Sequence, residues 1–146
     1  MKNKELLSAL KEFYEEMDKG KLNELDKFYH KDVIFRDPVQ QVDGLKDLES
    51  YLAHSMENID YCRFAFEDEV IGDDSAFLSW QMRFAHPKIM DGAEIVVPGV
   101  THIIFDDEEN SIRQHIDYYD MGALVYEHVP VLGWLTGKVK NRMKPE

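Results

Sequence analysis

Three side chains belong to residue types that can move a proton. Asp37 lies at the exit of a short β-branched and aromatic run, and His115 and Asp117 lie two residues apart in an alternating run over 112–119. A carboxylate in an apolar cavity has a raised proton affinity, which suits a general base that removes a proton from carbon. An imidazole beside it could tune that base or donate to an enolate oxygen. Asp37, His115 and Asp117 are therefore the candidate catalytic residues.

Each candidate also has a purely structural interpretation. An aspartate before Pro38 is typical of a turn in which the carboxylate accepts backbone amides. Asp117 could be a buried carboxylate that only pairs with a histidine or a tyrosine. A metal site would need a further histidine, but alternation turns His102 outward when Thr101 faces inward. We predict no metal site and no cofactor.

The first 60 residues are predicted to be mainly helical. Apolar residues at helical spacing indicate helices over about 6–17, 22–29 and 45–58, and Gly20 and Gly44 separate them. Between the last two, the run 33–37 reads as a short strand, and Pro38 is expected to end its pairing.

From residue 60 onward the apolar period changes to two, which predicts strands. They cover about 64–70, 75–84, 94–105 and 112–119, with a tight turn at Gly72 and a bulge at Pro98 and Gly99. Two helical pieces, 121–129 and 132–143, follow. This order indicates one α+β domain over 1–146, with three N-terminal helices, a curved antiparallel sheet and a C-terminal helical tail.

Two segments carry a resemblance to a known superfamily. Residues 29–38, with Gly44 and a helix after them, resemble the Asp-Pro segment of the ketosteroid isomerases in the nuclear transport factor 2-like superfamily. Residues 112–120 look like the last strand of its SnoaL-like branch, which includes polyketide cyclases. The resemblance implies a cone-shaped sheet that the helices close over an apolar pocket.

The resemblance also implies roles for particular residues. Asp37 matches the general base of the isomerases, and Asp117 matches the acid/base aspartate of the cyclases. The two oxyanion positions of the isomerases hold Phe13 and Thr101 here, and Tyr14 is expected to point about 100° away around its helix. We therefore do not assign steroid isomerisation. Side-chain alternation and this fold together predict the pocket lining, which comprises Phe13, Phe35, Tyr51, Trp80, Met82, Thr101 and Tyr119.

Composition excludes several classes of protein. The chain has 146 residues, enough for one core, and its formal charge of -12 disfavours a nucleic-acid partner. The N-terminal residues lack the apolar segment of a secretory signal, so we expect a cytoplasmic protein. Cys62 is the single cysteine, which excludes an intrachain disulfide.

Three functions remain open at this stage. The first is a cofactor-independent enzyme of isomerase or cyclase type, and the second is a non-catalytic binder of a small apolar metabolite. The third is a homodimeric scaffold that uses the outer sheet face, including Phe77 and Ile116, or a basic tail after Trp134 that binds a membrane surface or a partner. We expect a homodimer and no membrane binding, with the tail helix packed on its own domain.

Overall fold

Helices and one six-stranded sheet account for most of the chain. The computed structural model describes residues 2–108, 110–124 and 130–145. Helix α1 spans Lys2–Glu15, a 3-10 helix spans Lys19–Lys27, and α2 spans Leu45–Ser55. Near the C-terminus, α3 covers Met121–Leu124 and α4 covers Pro130–Met143. Residues 125–129 of the predicted helix 121–129 lie outside the described residues.

Six strands form one curved open sheet. They are β1 (Tyr29–Arg36), β2 (Gln41–Asp43), β3 (Tyr61–Ile71), β4 (Ser75–Ala85), β5 (Ile95–Phe105) and β6 (Ile112–Tyr119). The spatial order is β2-β1-β6-β5-β4-β3. All neighbours pair antiparallel except β1 and β6, which run parallel with Phe35 opposite His115. The α+β class is therefore confirmed, with one parallel pair that the local pattern could not show.

Three local predictions differ from the structure. The second helix is a 3-10 helix, because the buried residues Leu22, Leu25 and Phe28 recur every third position, which matches three residues per turn. Pro38 ends β1 but not the pairing, which resumes when β2 folds back on β1. The predicted bulge at residues 98 and 99 is wrong, because the β4–β5 register runs unbroken past Gly99.

Packing against Trp80 explains the glycine at position 99 instead. It lies opposite Trp80 in the β4–β5 register, and a Cβ atom built there would lie 2.3 Å from Cη2 of that indole. Glycine is therefore the residue that lets the ring of Trp80 lie flat across β5, where it is 1% exposed.

The helices cover one face of the sheet, and the core lies between them. On β4 the even-numbered apolar residues turn inward, and Phe77 and Arg83 are exposed on the opposite face. Helix α1 packs on β3, and α2 packs on β1 and on the 3-10 helix. Alternation therefore turns every second strand residue toward the helices.

Helix α4 differs from the predicted packed tail. Trp134 is 60% exposed and Met143 is 80% exposed, so these apolar side chains do not pack on the domain. The Lys138 ammonium lies 4.6 Å from the ring centre of Trp134, one turn away on the same helix. Among the described helices, none is long and apolar enough to cross a lipid bilayer.

Candidate functional site

A cavity of about 270 Å³ opens between the concave sheet face and the helices. The volume corresponds to about nine water molecules at ~30 Å³ each. Helices α1 and α2, strands β1, β3, β4 and β6 and the segments between these elements contribute its lining. The described lining comprises Tyr14, Met17, Phe35, Asp37, Val39, Tyr51, Leu52, Ser55, Met56, Ile59, Cys62, Phe64, Trp80, Met82, Phe84, Ile89, Asp117 and Tyr119. The wall is thus mostly aromatic and aliphatic, with two carboxylates.

Strand register places the two carboxylates side by side. Arg36 of β1 lies opposite Ile116 of β6 in the parallel pair, so Asp37 and Asp117 each follow a paired residue on neighbouring strands. Neighbouring strands are about 4.8 Å apart, and alternation turns both side chains to the concave face. This adjacency depends on the parallel pairing of two strands that are far apart in sequence.

Asp37 is held from both sides. Its Oδ1 accepts hydrogen bonds from the backbone amides of Val39 at 2.9 Å and Gln40 at 3.1 Å. Its Oδ2 accepts the hydroxyl of Tyr51 at 2.7 Å. Burial and then this hydrogen bond to Asp37 raise the pKa of Tyr51 above its ordinary value. Asp37 therefore forms the turn that its sequence context predicts and also lines the cavity.

Asp117 is engaged through one oxygen only. Its Oδ1 accepts the hydroxyl of Thr101 at 2.6 Å and lies 2.8 Å from Nε2 of His115. Thr101 in turn accepts the indole N–H of Trp80 at 2.8 Å. No donor from the described part of the chain bonds Oδ2, and the Asp117 side chain is 12% exposed. Asp117 thus keeps one carboxylate oxygen available at the cavity.

Behind Asp117 a chain of buried hydroxyls reaches into the core. His115 Nδ1 lies 2.8 Å from the hydroxyl of Tyr29, which lies 2.7 Å from the hydroxyl of Tyr14. These three residues are 2% to 6% exposed. Burial is the main reason that the pKa values of both tyrosines are raised, so both hydroxyls stay protonated and must donate somewhere.

Only one direction of this chain satisfies every hydrogen. If Tyr14 donates to Tyr29 and Tyr29 donates to His115 Nδ1, the imidazole is neutral and donates from Nε2 to Asp117. In the reverse direction, the Tyr14 hydrogen would find no acceptor in the described structure, which costs about 1–3 kcal/mol. This direction makes Tyr29 the donor to Nδ1 and places the single imidazole hydrogen of His115 on Nε2, toward Asp117.

The predicted site residues fall into two groups. Asp37 and Asp117 meet at the cavity, whose lining also includes Phe35, Tyr51, Trp80, Met82 and Tyr119. Phe13, Thr101 and His115 lie outside that lining. His115 and Thr101 lie behind Asp117 and bond its carboxylate.

Tyr14 lines the cavity instead of Phe13. Phe13 packs on Phe28 with ring centres 5.4 Å apart, in the core beneath the cavity. The prediction for Phe13 is wrong because α1 turns Tyr14, in the same stripe as Leu7 and Leu10, toward β6. Tyr29 was missed because its strand begins earlier than the β-branched run suggests.

Two further features limit the chemistry of the site. In the described ranges, no three His, Cys, Asp or Glu side chains are grouped to hold a metal ion. Burial raises the pKa of the Cys62 thiol to about 12, so this cavity-lining cysteine stays a neutral thiol at physiological pH.

Comparison with known proteins gives one family and many structures. Residues 10–115 match the model of the SnoaL-like domain family. Comparison with curated protein sequences gave no match. A structure from Shewanella putrefaciens CN-32, described as a SnoaL-like polyketide cyclase, is 16% identical with a TM-score of 0.73, covering 90% of this chain and 98% of its own.

Two other similar structures contain small molecules. TerC, co-crystallised with polyporic acid, is 15% identical with a TM-score of 0.71, covering 85% of this chain and 95% of its own. A Catenulispora acidiphila protein with a ketosteroid isomerase-like fold, in complex with trimethylamine, is 14% identical with a TM-score of 0.71, covering 85% and 92%. At these identities the likeness establishes the fold.

Proposed function

This chain belongs to the SnoaL-like domain family, and from that membership we propose that its cavity binds a small, largely apolar molecule and that Asp117 removes a proton from carbon in it. The reaction class is carbon-acid proton transfer of the isomerase or cyclase type. The observation that carries the proposal is the position of Asp117, which keeps one carboxylate oxygen without a described donor beside an apolar cavity.

Asp117 suits the role of general base better than Asp37 does. Both oxygens of Asp37 already accept hydrogen bonds from Val39, Gln40 and Tyr51. Asp117 has both of its donors on Oδ1, so Oδ2 can approach a C–H bond without losing a partner. His115 and Thr101 are positioning residues in this scheme, because they hold the carboxylate from behind.

Removing a proton beside a carbonyl produces an enolate, whose oxygen needs a donor. Tyr119 lines the cavity two residues beyond Asp117 on the same strand face. Burial, followed by the charges of Asp37 and Asp117, raises the pKa of Tyr119, so its hydroxyl remains a donor. Tyr119 is our candidate to donate to the enolate, as Tyr51 is already bonded to Asp37.

Hydrogen exchange tests the elementary step without a known substrate. The probe is 2-tetralone, a bicyclic ketone compact enough for this cavity. In D2O, its α-hydrogen exchange is followed by proton NMR with the wild-type protein, with Asp117→Asn, and with the surface variant Glu49→Gln. We expect accelerated exchange that Asp117→Asn abolishes and Glu49→Gln retains.

The same experiment separates an enzyme from a binder. Cavity occupancy is read from the fluorescence of Trp80 in a Trp134→Phe background, which leaves one tryptophan in the chain. Binding of 2-tetralone without faster exchange in any variant would refute the catalytic proposal and favour a non-catalytic carrier. Two similar structures hold small molecules, polyporic acid and trimethylamine, which agrees with an enzyme and with a carrier alike.

We also propose that two copies pair through the outer sheet face. Phe77 is 45% exposed and Tyr118 is 53% exposed on the face of β4 and β6 that points away from the cavity. Phe77 stacks on His102 with ring centres 4.3 Å apart, which forms a flat aromatic surface. Sedimentation at micromolar concentration should give a dimer, and a monomer that matches the Phe77→Glu variant would contradict it.

A further inference from the structure

Charge is distributed unevenly over the cavity wall. The lining contains two carboxylates, Asp37 and Asp117, and no lysine, arginine or histidine in the part of the chain that the structure describes. Asp37 forms no ion pair with a described cation, and the described ion-pair partner of Asp117 is His115. Because the hydroxyl chain places a single hydrogen on that imidazole, the described wall offers no positive charge to the two carboxylates.

The aromatic part of the wall suits an alkylammonium cation. Tyr51, Trp80 and Tyr119 present aromatic rings to the same space as the carboxylates. The negative face of an aromatic ring attracts an alkylammonium group, and the attraction is strongest where water is excluded. The protein's net charge of -12 adds a field of the same sign.

We infer that the ligand of this cavity is an organic cation, with an alkylammonium or similar delocalised positive group on a compact apolar body. The inference rests on the proposed function only in taking this cavity as the binding site. A carboxylate or phosphate ligand is disfavoured, since no described side chain of the wall could neutralise it. A neutral ligand would fill the space but leave the two carboxylates of the wall without a cationic partner.

A set of three phenols isolates the effect of charge. The probes are 3-hydroxy-N,N,N-trimethylanilinium, its neutral carbon isostere 3-tert-butylphenol, and the anion 3-hydroxybenzenesulfonate. Isothermal calorimetry at pH 7 gives a Kd for each with the full chain. We expect the cation to bind roughly tenfold to thirtyfold more tightly than the neutral isostere, as 1.4 to 2 kcal/mol implies, and the anion to bind weakest.

Charge-matched variants locate the source of the selectivity. Asp37→Asn and Asp117→Asn should each reduce the ratio of the two Kd values severalfold. Glu49→Gln removes the same charge from the exposed side of α2 and should leave the ratio unchanged. If Asp37→Asn or Asp117→Asn unfolds the protein, the ratio of the two Kd values measured with the wild-type protein still tests the cation assignment.

The outcomes distinguish this inference from the proposed function. Equal Kd values for the cation and its neutral isostere, or tightest binding of the anion, would overturn the cation assignment and leave the cavity as a binding site. A selectivity that Glu49→Gln reduces as much as Asp117→Asn would attribute it to the general field and also overturn the assignment. Absence of binding by all three probes and by 2-tetralone would overturn both.

Discussion

Replacing Tyr29 with phenylalanine tests the direction of the buried hydroxyl chain. Tyr29 is 2% exposed and bonds Tyr14 on one side and His115 on the other. The phenyl ring keeps the packing but leaves the Tyr14 hydrogen and the His115 Nδ1 lone pair without partners. At about 1–3 kcal/mol for each of the two buried groups, Tyr29→Phe should lower the free energy of unfolding by about 2–6 kcal/mol.

Tyr14→Phe is the matched control. It removes a hydroxyl of the same chain, but Tyr29 can still donate to His115, so no hydrogen is left without an acceptor. The loss should therefore be only about 0.5–1.5 kcal/mol. Urea unfolding measures both variants, and an unchanged denaturant slope shows that the comparison reports stability.

A larger loss of unfolding free energy for Tyr14→Phe than for Tyr29→Phe would refute the reasoning. If His115 carried a second proton, it would donate to Tyr29, Tyr29 would donate to Tyr14, and Tyr14→Phe would leave a buried donor unpaired. Nitrogen NMR of His115 gives an independent result. We expect one ring hydrogen, on Nε2, and hydrogens on both ring nitrogens would contradict this direction of the chain.

Three further predictions follow from single contacts. Gly99→Ala should force the ring of Trp80 to move and so lower the free energy of unfolding by about 1–3 kcal/mol. The near-ultraviolet circular dichroism should change as well, and an unchanged spectrum would contradict the packing argument. Burial raises the thiol pKa of Cys62 from 9.0 to about 12. Cys62 should therefore react with Ellman's reagent at pH 8 about a thousandfold more slowly than in an unfolded control. Equal rates would refute its burial. Tyr51→Phe removes a donor from Asp37 and should lower stability by about 1.5–3 kcal/mol in urea, whereas no loss would mean that the carboxylate does not depend on this bond.

Much of the fold was predictable because strand side chains alternate. The parity of β6 puts His115 and Asp117 on one face, and that of β4 puts Trp80 and Met82 on one face, as the structure shows. Parity could not show which strands are neighbours. The parallel contact of β1 with β6 joins segments about 80 residues apart, and no local pattern encodes it.

The site was less predictable for the same reason. Tyr29 bonds His115 only because β1 and β6 are adjacent, so a residue that looked like part of a helix is a member of the Asp117 network. Gly99 looked like a bulge signal because glycine in a strand often is one. The large ring opposite it, on β4, is visible only once the register is known.

Asp37 and Asp117 differ in their hydrogen bonds, and this difference suits them to different roles. Asp37 already accepts three hydrogen bonds from the protein, so it is held in place and can anchor a cationic group throughout a reaction. Asp117 has the free oxygen and is the group whose charge changes when it takes a proton. A cation placed against Asp117 would weaken that base, so the positive group must lie nearer Asp37 and the acidic C–H nearer Asp117. Asp37→Asn should consequently reduce cation selectivity more than exchange of neutral 2-tetralone, and Asp117→Asn should reduce exchange more than selectivity.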